Sequence, residues 1–473
     1  MADPISRPAR RSLFASKARL PEGWRSNVLI QWDEAGTLTR VSPDTARDDL
    51  QSCPNIEYAR GPLLAGMPNL HSHAFQAAMA GLTEYRASAA DSFWSWRDLM
   101  YRFAAKISPD HLAAIAQYLY LDMLKAGYTS VCEFHYIHHR PDGNHYARPG
   151  EMAERVVDAA VQTGLAITLL PVLYQYGDFG ARPPHRGQQR FINTPEQLLR
   201  LLGQVRKAYP ENPNRRYGVA PHSLRAVSRA SLDALLAGLQ ADLPDAPIHI
   251  HIAEQTAEVD ACMASEGARP VRWLLDHYPI DPHWCLIHAT HIDTYETRAL
   301  AASGAIAGLC PSTEANLGDG FFPTSQYLAA EGRIGIGSDS HICVDWRSEL
   351  RLLEYNERLQ RRQRNVLASD DQPRVADRLF DAATRGGAMA TGRATGALEV
   401  GRQADCIVLD PDHASIAGQH SDAWLSGIVF SERSRSPVMD VYVAGRRLID
   451  DRRHIDEERI QTAYRNALSE LLE

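Results

Sequence analysis

The 473-residue sequence lacks the features of a membrane protein or of a disulfide-stabilised fold. It has no apolar stretch approaching the roughly 18 residues of a membrane span, and its first residues lack the apolar segment of a signal peptide. Its seven cysteines are scattered and never spaced as C-x-x-C, which predicts neither a disulfide framework nor a cysteine-ligated zinc site. We therefore expect a protein of the reducing cytoplasm.

The sequence also lacks any basic stripe. Its formal net charge is -8, and no run of lysine and arginine could follow a phosphate backbone, so we expect no nucleic-acid partner and no membrane partner. A hydrophobic content of 44% with 23% charged residues is ordinary for a globular protein and provides for a sizeable core. The length exceeds one average domain and fits a large barrel with a smaller accessory domain.

The chain does contain a regular alternation of short apolar runs and helical patterns between about Gly66 and Thr391. Each run ends in a polar segment that often carries histidine. Eight such candidate strands occur: GPLLAGMPNL, YTSVCEFHY, LAITLLPVLYQYG, YGVAPHSLRAV, PIHIHIAEQ, WCLIHATHI, AIAGLCPSTEANLG and RIGIGSDSH. This alternation predicts an α/β protein with a (β/α)8 TIM barrel, whose functional residues lie at the C-terminal ends of the strands.

Short strands with turn residues lie on both sides of the barrel, in WRSNVLIQWDEAGTLTRVS and in PVMDVYVAGRRLI. Segments that flank a barrel can pair into one small domain. We predict a discontinuous β-sandwich domain from residues 1–65 and 396–455, a barrel from residues 66–395, and a C-terminal helix from residues 456–473.

The segment MPNLHSHAFQ places His71 and His73 one residue apart after the first predicted strand. Side chains alternate along an extended segment, so both imidazoles point the same way and can reach one ion. An isolated H-x-H is equally compatible with two polar residues in a loop. The rest of the chain must decide between these interpretations.

Further ligand-type side chains follow three other predicted strands. His249 and His251 lie on strand five, His288 and His291 follow strand six, and Asp339 follows strand eight. A metal site could combine two histidines from strand one, one histidine from strand five and the aspartate. Such nitrogen and oxygen ligands suit Zn²⁺ or Fe²⁺ and leave an open position for water.

Two positions are ambiguous. His249 and His251 both point into the barrel, and we favour His251 as the ligand because it is nearer the rim; His249 is more simply a packed, hydrogen-bonded interior histidine. His288 ends the apolar run CLI and faces inward, whereas His291 lies an odd number of residues further and faces another way. We therefore favour His288 as the functional residue.

The motifs NLHSH, HIHIAEQ, LIHATHID and GSDSH resemble, in this order, the pattern of the amidohydrolase superfamily, in its mononuclear deaminase branch. The resemblance spans the whole barrel. It implies an enzyme that binds one Zn²⁺ per subunit, and it implies a homodimer. The implied metal ligands are His71, His73, His251 and Asp339.

The lysines independently favour a single metal. Binuclear members of the superfamily usually bridge their metals with a carboxylated lysine at a strand end. The chain has four lysines, none of them at a predicted strand end: Lys17, Lys106, Lys125 and Lys207.

The resemblance implies hydrolysis by metal-bound hydroxide. Asp339 takes the proton of the water, His288 stabilises the developing charge, and Glu254 carries a proton to the leaving nitrogen. Glu254 could instead be a solvated carboxylate at a helix N-terminus, but its spacing of three residues from His251 favours the catalytic role.

A further set of segments includes SFWSWRDLMYRF, APHSLRAV and CPSTEANLGDGFFP. They are similar to those superfamily members that convert N-formimino-L-glutamate to N-formyl-L-glutamate and ammonia in histidine degradation. This similarity implies that Arg97, Tyr136 and Arg225 bind the substrate carboxylates, and that Gln76 and His222 lie near the reacting group or the glutamate backbone. We expect Arg97 in a loop, and His138 and His139 as exposed loop residues.

Two other functions stay open from the residues alone. The same metal machinery could deaminate a heterocycle of the guanine, cytosine or thioadenosine type, which would favour stacking and amide contacts over several arginines. A relative without activity could keep the barrel for binding or assembly, but a structural role makes no demand for all six metal and catalytic side chains. From its spacing alone, Arg97 is more simply a solvated charge or a salt-bridge partner than a substrate contact, and Tyr136 could pack at the rim.

Overall fold

The computed structural model describes residues 11–51, 53, 56–84 and 93–473. The chain begins with an antiparallel hairpin in which Leu20 pairs with Gly23, so that Pro21 and Glu22 form a two-residue turn. Gly23 has a φ of 109°, which a residue with a side chain rarely adopts. The elements before the barrel are β1 (Arg11–Leu20), β2 (Gly23–Trp32), β3 (Leu38–Ser42), α1 (Arg47–Gln51), β4 (Ile56–Tyr58) and β5 (Leu63–Ala65).

Parallel strands then form a closed barrel. They are β6 (Met67–Ser72), β7 (Tyr128–His135), β8 (Ala166–Leu173), β9 (Arg215–Tyr217), β10 (Ala220–Pro221), β11 (Ile248–Ile252), β12 (Trp284–His288), β13 (Ile306–Leu309) and β14 (Arg333–Ile336). Strands β9 and β10 both pair with β8 and are two parts of the fourth barrel strand. Parallel bridges from Val219 to Ile248 and from Ser72 to Asp339 close the ring. The predicted (β/α)8 barrel is confirmed.

Helices connect the barrel strands. They are α2 (Phe93–Ala104), α3 (Pro109–Ala126), α4 (Glu151–Thr163), α5 (Pro195–Ala208), α6 (Arg229–Asp242), α7 (Thr256–Glu266), α8 (Pro270–His277), α9 (Thr294–Ser303), α10 (Pro311–Leu317), α11 (Thr324–Ala329), α12 (Trp346–Arg361) and α13 (Val375–Thr391), with 3₁₀ turns at Ala74–Met79 and Arg186–Gln188. Several start at strong caps, such as Ser108 before α3 and Asp293 before α9, whose side chains accept backbone N–H groups.

The segment around Arg97 is helical, so the prediction that Arg97 lies in a loop is wrong. Trp96, Met100 and Phe103 follow each other at the i, i+4, i+7 spacing of a helical face, and all three pack against or within the main hydrophobic core. The many aromatic residues of this segment obscured that period.

Both ends of the chain meet in one sheet beside the barrel. Its later elements are β15 (Cys406–Leu409), α14 (Ser421–Phe430), β16 (Val438–Val443), β17 (Arg446–Asp450) and β18 (Arg453–His454). The nine strands run in the order β18-β17-β16-β15-β5-β1-β2-β3, with β4 paired to β1. Strand β15 pairs with β5 through Cys406 and Ala65, which joins the two chain ends. The predicted accessory β-structure from both ends is therefore present, while the boundaries of the domains stay a prediction.

The last helix, α15 (Glu457–Leu472), returns to the barrel and packs on α3, where the rings of Tyr118 and Tyr464 stack 4.1 Å apart. Within the ranges that the structure describes, no helix is both long enough and apolar enough to cross a membrane.

Candidate metal centre and substrate cavity

Strand β6 brings His71 and His73 to the C-terminal rim of the barrel. Every residue of β6 is buried, and the rings of the two histidines meet edge to face at 4.6 Å. The chain after β14 passes close by, and a β-carbon on Gly337 would lie 2.9 Å from the backbone nitrogen of His71. Glycine is therefore needed at position 337 for the eighth strand to approach the histidines.

Four ligand atoms converge at this point. The Nε2 atoms of His71 and His251 are 3.0 Å apart, and those of His71 and His73 lie 3.4 Å and 3.2 Å from Oδ1 of Asp339. All four groups are buried, and their ligand atoms lie within 4.8 Å of one another. The structure thus brings together the four side chains that the sequence predicts as metal ligands.

The hydrogen bonds of the rings favour a bound cation. His73 Nδ1 lies 2.9 Å from the carbonyl oxygen of Phe134, and His251 Nδ1 lies 3.1 Å from that of His222, so each Nδ1 carries the proton and donates it. Each Nε2 is then an unprotonated acceptor that faces the Asp339 carboxylate or another ring. Acceptors this close together need a cation between them.

The pKa shifts of His71, His251 and Asp339 agree with that arrangement. Burial, and then the neighbouring His73, lower the pKa of His71 to about 3, and burial holds the pKa of His251 well below its usual value. Burial by itself raises the pKa of Asp339, but the contact of its carboxylate with the rings of His71 and His73 outweighs burial and holds that pKa well below the usual range. Neutral rings at His71 and His251 and an ionised carboxylate at Asp339 are the forms in which these groups bind a divalent metal. The residues fit a zinc ion.

Glu254 and His288 lie beside this cluster. His288 Nε2 is 3.7 Å from Glu254 Oε1 and 3.7 Å from Asp339 Oδ2. Burial raises the pKa of the Glu254 carboxyl, and the nearby Asp339 raises it further, against the opposing effect of His288. Burial lowers the pKa of His288, but Glu254, Glu314 and Asp339 together raise it above its usual value. Glu254 is therefore set to hold a proton at a pH at which Asp339 is ionised.

Backbone strain concentrates at the same rim. Ala253, His288, Asp339 and His341 have φ values of 50°, 66°, 46° and 63°, in the left-handed region that residues other than glycine rarely adopt. Ala253 directly follows β11, His288 ends β12, and Asp339 and His341 lie in the segment after β14. Strain of this kind persists where the surrounding structure enforces it and is characteristic of functional sites.

A cavity opens above the cluster. Its lining includes His73, His251, Glu254, His288 and Asp339 together with all five residues that the sequence analysis assigns to substrate, which are Gln76, Arg97, Tyr136, His222 and Arg225. His71 is fully buried behind His73. The predicted site residues thus surround one space.

Hydrogen bonds hold several walls of this cavity in place. Gln76 Nε2 donates to the hydroxyl of Tyr136 at 2.8 Å, and Nδ1 of His222 lies 3.1 Å from Oγ of Ser223. The Arg97 guanidinium lies over the ring of Tyr101, 5.7 Å from its centre. The cavity therefore combines a cationic, aromatic wall with an acidic floor that contains the candidate metal ligands.

The two ambiguous histidines lie elsewhere. His249 is buried and its Nε2 lies 2.9 Å from the carbonyl oxygen of Ala390, inside the barrel. His291 Nε2 lies 2.8 Å from the carbonyl oxygen of Asp319, away from the cluster. His138 and His139 were expected to be exposed, and that prediction is wrong, because both are buried and bond to carbonyl oxygens of Val172 and Ile192.

Several residues of the site escaped sequence analysis. Glu314 on α10 accepts a hydrogen bond from Nδ1 of His288 at 3.2 Å, and Glu258 accepts the backbone N–H groups of Ala253 and Glu254, which shapes the turn that presents Glu254. Glutamate within the first helical turn after a strand is the signal that would have identified Glu314 and Glu258.

Glu133 on β7 supports the histidine pair from behind. Its carboxylate accepts hydrogen bonds from Ser72 Oγ, the backbone N–H of Ala74 and the Tyr120 hydroxyl. The signal in the sequence that could have identified Glu133 is its position as a single charged residue within an apolar strand.

Comparison with known proteins agrees with this site. The sequence model of the amidohydrolase family matches residues 63–448, which include the whole barrel. This chain belongs to the amidohydrolase family. The superfamily resemblance predicted from the motifs is confirmed, and the chain is a hydrolase with a candidate metal site.

Individual relatives differ in how much they share with this amidohydrolase. A formimidoylglutamate deiminase from Pseudomonas aeruginosa is 49% identical over 462 residues, which cover 98% of this chain and all of that protein. A 5-methylthioadenosine/S-adenosylhomocysteine deaminase from Natronomonas pharaonis is 26% identical, with 90% of this chain and 89% of that protein covered.

Two solved structures share the fold. The crystal structure of an amidohydrolase from Brucella melitensis superimposes with a TM-score of 0.90 at 44% identity, covering 98% of this chain and all of that chain. A triazine hydrolase variant superimposes with a TM-score of 0.82 at 21% identity, over 97% of this chain and 99% of that chain, and so supports the fold alone.

Proposed function

We propose that this amidohydrolase converts N-formimino-L-glutamate and water to N-formyl-L-glutamate and ammonia, as a step of histidine degradation, with one Zn²⁺ per subunit. One observation carries the proposal. The cavity above the metal-ligand cluster also contains two arginines, Arg97 and Arg225, which suit a substrate with two carboxylates. The full-length similarity to a formimidoylglutamate deiminase supports the same substrate.

The metal would be held by His71, His73, His251 and Asp339. Zinc favours three or four nitrogen and oxygen ligands of this kind with an open position, which is the arrangement of a hydrolytic site. When bound, it would lower the pKa of a water towards about 7 and so supply a nucleophile near neutral pH.

The side chains around the cluster divide the proton transfers. Water adds to the formimino carbon, and the bond from this carbon to the terminal nitrogen breaks, so that a formyl group stays on the glutamate. Asp339, held ionised by its histidine neighbours, accepts a proton from the attacking water. Glu254, whose pKa is raised by burial, delivers a proton to the terminal nitrogen, which leaves as ammonia.

His288 stabilises the charge that develops during this reaction. Its Nδ1–H donates to Glu314, so its Nε2 is directed to the space between Glu254 and Asp339. An imidazole whose pKa is raised by three carboxylates carries a proton and acts as a donor there.

The remaining lining residues would bind the substrate. We assign Arg97, Tyr136 and Arg225 to the carboxylates, and Gln76 and His222 to the reacting group or the glutamate backbone. The bond from Gln76 to Tyr136 fixes both side chains before substrate enters, which reduces the entropy lost on binding.

The test is ammonia release by purified, zinc-loaded protein from N-formimino-L-glutamate, with N-formimino-glycine, guanine and cytosine as comparison substrates. The proposal predicts fast release from the glutamate derivative and little from the other three. Release from a heterocycle alone would leave the metal site intact and replace the substrate assignment with a heterocycle deaminase.

We also propose that the protein is a cytoplasmic homodimer. The family resemblance supports the dimer, and the positions of the seven cysteines, none of which is paired in a disulfide, agree with the cytoplasm. Light scattering on the zinc-loaded protein should give twice the mass of one chain.

A further inference from the structure

Gln188 is a fully buried amide in the loop between β8 and α5. Its Oε1 accepts the backbone N–H of His185 at 2.9 Å. Because a backbone N–H can only donate, this bond fixes the orientation of the amide and directs its NH₂ group the other way. Nε2 then donates to the hydroxyl oxygen of Tyr174 at 2.7 Å and faces that of Tyr101 at 3.4 Å.

The two hydroxyl groups therefore receive hydrogen bonds from Gln188 and keep their own hydrogens. Each hydroxyl has one hydrogen to donate. If Tyr101 and Tyr174 bond to each other, one of them is the donor and the hydrogen of the other still points elsewhere. At least one hydroxyl is thus a directed donor.

Both tyrosines line the substrate cavity, beside Arg97 and Arg225. Burial is the largest cause that raises the pKa of Tyr174, so its hydroxyl stays protonated throughout the neutral range. Guanidinium groups together with oriented hydroxyl donors make a site for a carboxylate, since hydrogen bonds to a charged acceptor are the strong ones.

We propose that Tyr101 and Tyr174, oriented by Gln188, donate a hydrogen bond to a carboxylate of the substrate and help the cavity to select a dicarboxylate. The proposal rests on the function proposed above. Tyr101 and Tyr174 determine specificity by direct contact, while Gln188 is a positioning residue that acts through them.

The experiment compares Tyr101→Phe, Tyr174→Phe and Gln188→Leu with the zinc-loaded wild type. Tyr176→Phe is the matched control, because Tyr176 follows Tyr174 in the same loop and does not line the substrate cavity. It lines an adjoining outer cavity, together with Leu224, Arg229 and Glu266. Three substrates are used: N-formimino-L-glutamate, N-formimino-L-glutamine, which lacks the side-chain carboxylate, and N-formimino-4-aminobutyrate, which lacks the α-carboxylate.

We expect at least one of the two phenylalanine variants to lose about tenfold to a hundredfold in kcat/KM on N-formimino-L-glutamate, mainly through KM, as for a lost hydrogen bond to a charged group. The loss should shrink to less than about threefold on the one substrate that lacks the contacted carboxylate. Gln188→Leu should show the same substrate pattern, and Tyr176→Phe should behave as wild type.

Two results would overturn the proposal. One is wild-type kcat/KM in both phenylalanine variants. The other is an equal loss on all three substrates, which a merely structural role would produce.

Glutarate has two carboxylates but no formimino group. Its binding, measured by calorimetry, therefore tests the carboxylate site independently of the proposed reaction. A wild type that releases no ammonia from N-formimino-L-glutamate contradicts the function. Glutarate binding that weakens in a phenylalanine variant would still support the carboxylate site, whereas equal or absent binding in wild type and variants would exclude it.

Discussion

At the scale of single residues, the different surroundings of Asp339 and Glu254 shift the pKa values of their carboxyl groups in opposite directions. Asp339 lies against two histidines that hold its pKa low, while Glu254 is buried with its pKa raised and lies near Asp339 and His288. Opposite shifts in neighbouring carboxyl groups are the arrangement by which one site provides a base and an acid at the same pH.

Glu254→Gln should lower kcat by about 10²- to 10⁴-fold, the usual contribution of a general acid. The variant should keep its zinc, because Glu254 is not among the four predicted ligands. Steady-state rates and metal analysis of the same preparation test both parts. Glu266→Gln, on the outer cavity, is the control and should match wild type.

Asp339→Asn should abolish turnover, because the amide cannot accept the proton of the water and is a weaker metal ligand. Rates with excess zinc and bound zinc per chain are the measurements. An Asp339→Asn protein with full activity would contradict the assigned mechanism.

Arg225→Met should mainly raise KM for N-formimino-L-glutamate, by about tenfold or more, because a charged hydrogen bond to the substrate is lost. Arg229→Met removes a charge from the outer cavity only and should leave KM unchanged. A variant in which kcat falls while KM stays constant would instead assign Arg225 to the reaction step.

At the scale of elements, a buried carboxyl joins the two helices that follow the seventh and eighth barrel strands. Glu349 of α12 accepts hydrogen bonds from the side chain and the backbone of Ser312 on α10, at 2.6 Å and 2.9 Å. Burial raises the pKa of Glu349 to about 8 despite these bonds. The junction is therefore sensitive to pH.

The sign of this effect follows from linkage. The native state holds the Glu349 proton up to about pH 8, whereas the unfolded chain loses it near its ordinary pKa of about 4.3. The stabilisation by this proton is complete below about pH 4.3 and is lost as the pH rises towards 8. Over this window, the free energy of unfolding falls by no more than about 1.4 kcal/mol per pH unit.

Urea unfolding of wild type and Glu349→Gln at pH 5, 7 and 9 measures this contribution. The free energy of unfolding of wild type, relative to the variant, should fall between pH 5 and pH 8 and then level off. Parallel pH profiles for the two proteins would show that Glu349 does not titrate in this range.

The sequence predicts elements better than it predicts the contacts between them. The eight barrel strands follow from apolar runs bounded by turns, because burial on both faces demands such runs. The sequence did not predict the helix around Arg97, because further aromatic residues in this segment hide the helical spacing of its apolar face. The role of Gln188 was not predictable, since its contacts with Tyr101 and Tyr174 form only in the folded chain.

At the scale of the whole molecule, the proposed metal ties together distant parts of the chain. Its ligands come from the first, fifth and eighth barrel strands, which meet only in the folded protein. A ligand that binds only the native state stabilises it by about 4 kcal/mol when the free ligand concentration is 1,000 times the dissociation constant.

Removing the metal should therefore lower the thermal midpoint of unfolding, and added zinc should restore it together with activity. Differential scanning fluorimetry with and without a chelator measures the shift. His71→Asn, which lacks one ligand, should respond less to the chelator, whereas His291→Asn should respond like wild type. A midpoint that no chelator changes would speak against a metal at this site.

The most direct test of the central claim follows the fate of the formimino carbon. N-formimino-L-glutamate labelled with ¹³C at this carbon is turned over in ¹⁸O-water by the zinc-loaded protein, and the products are read by NMR and mass spectrometry. Our account predicts labelled N-formyl-L-glutamate with one ¹⁸O atom in the formyl group, and one ammonia per turnover. Labelled formamide with free glutamate, or no turnover of this compound, would contradict it.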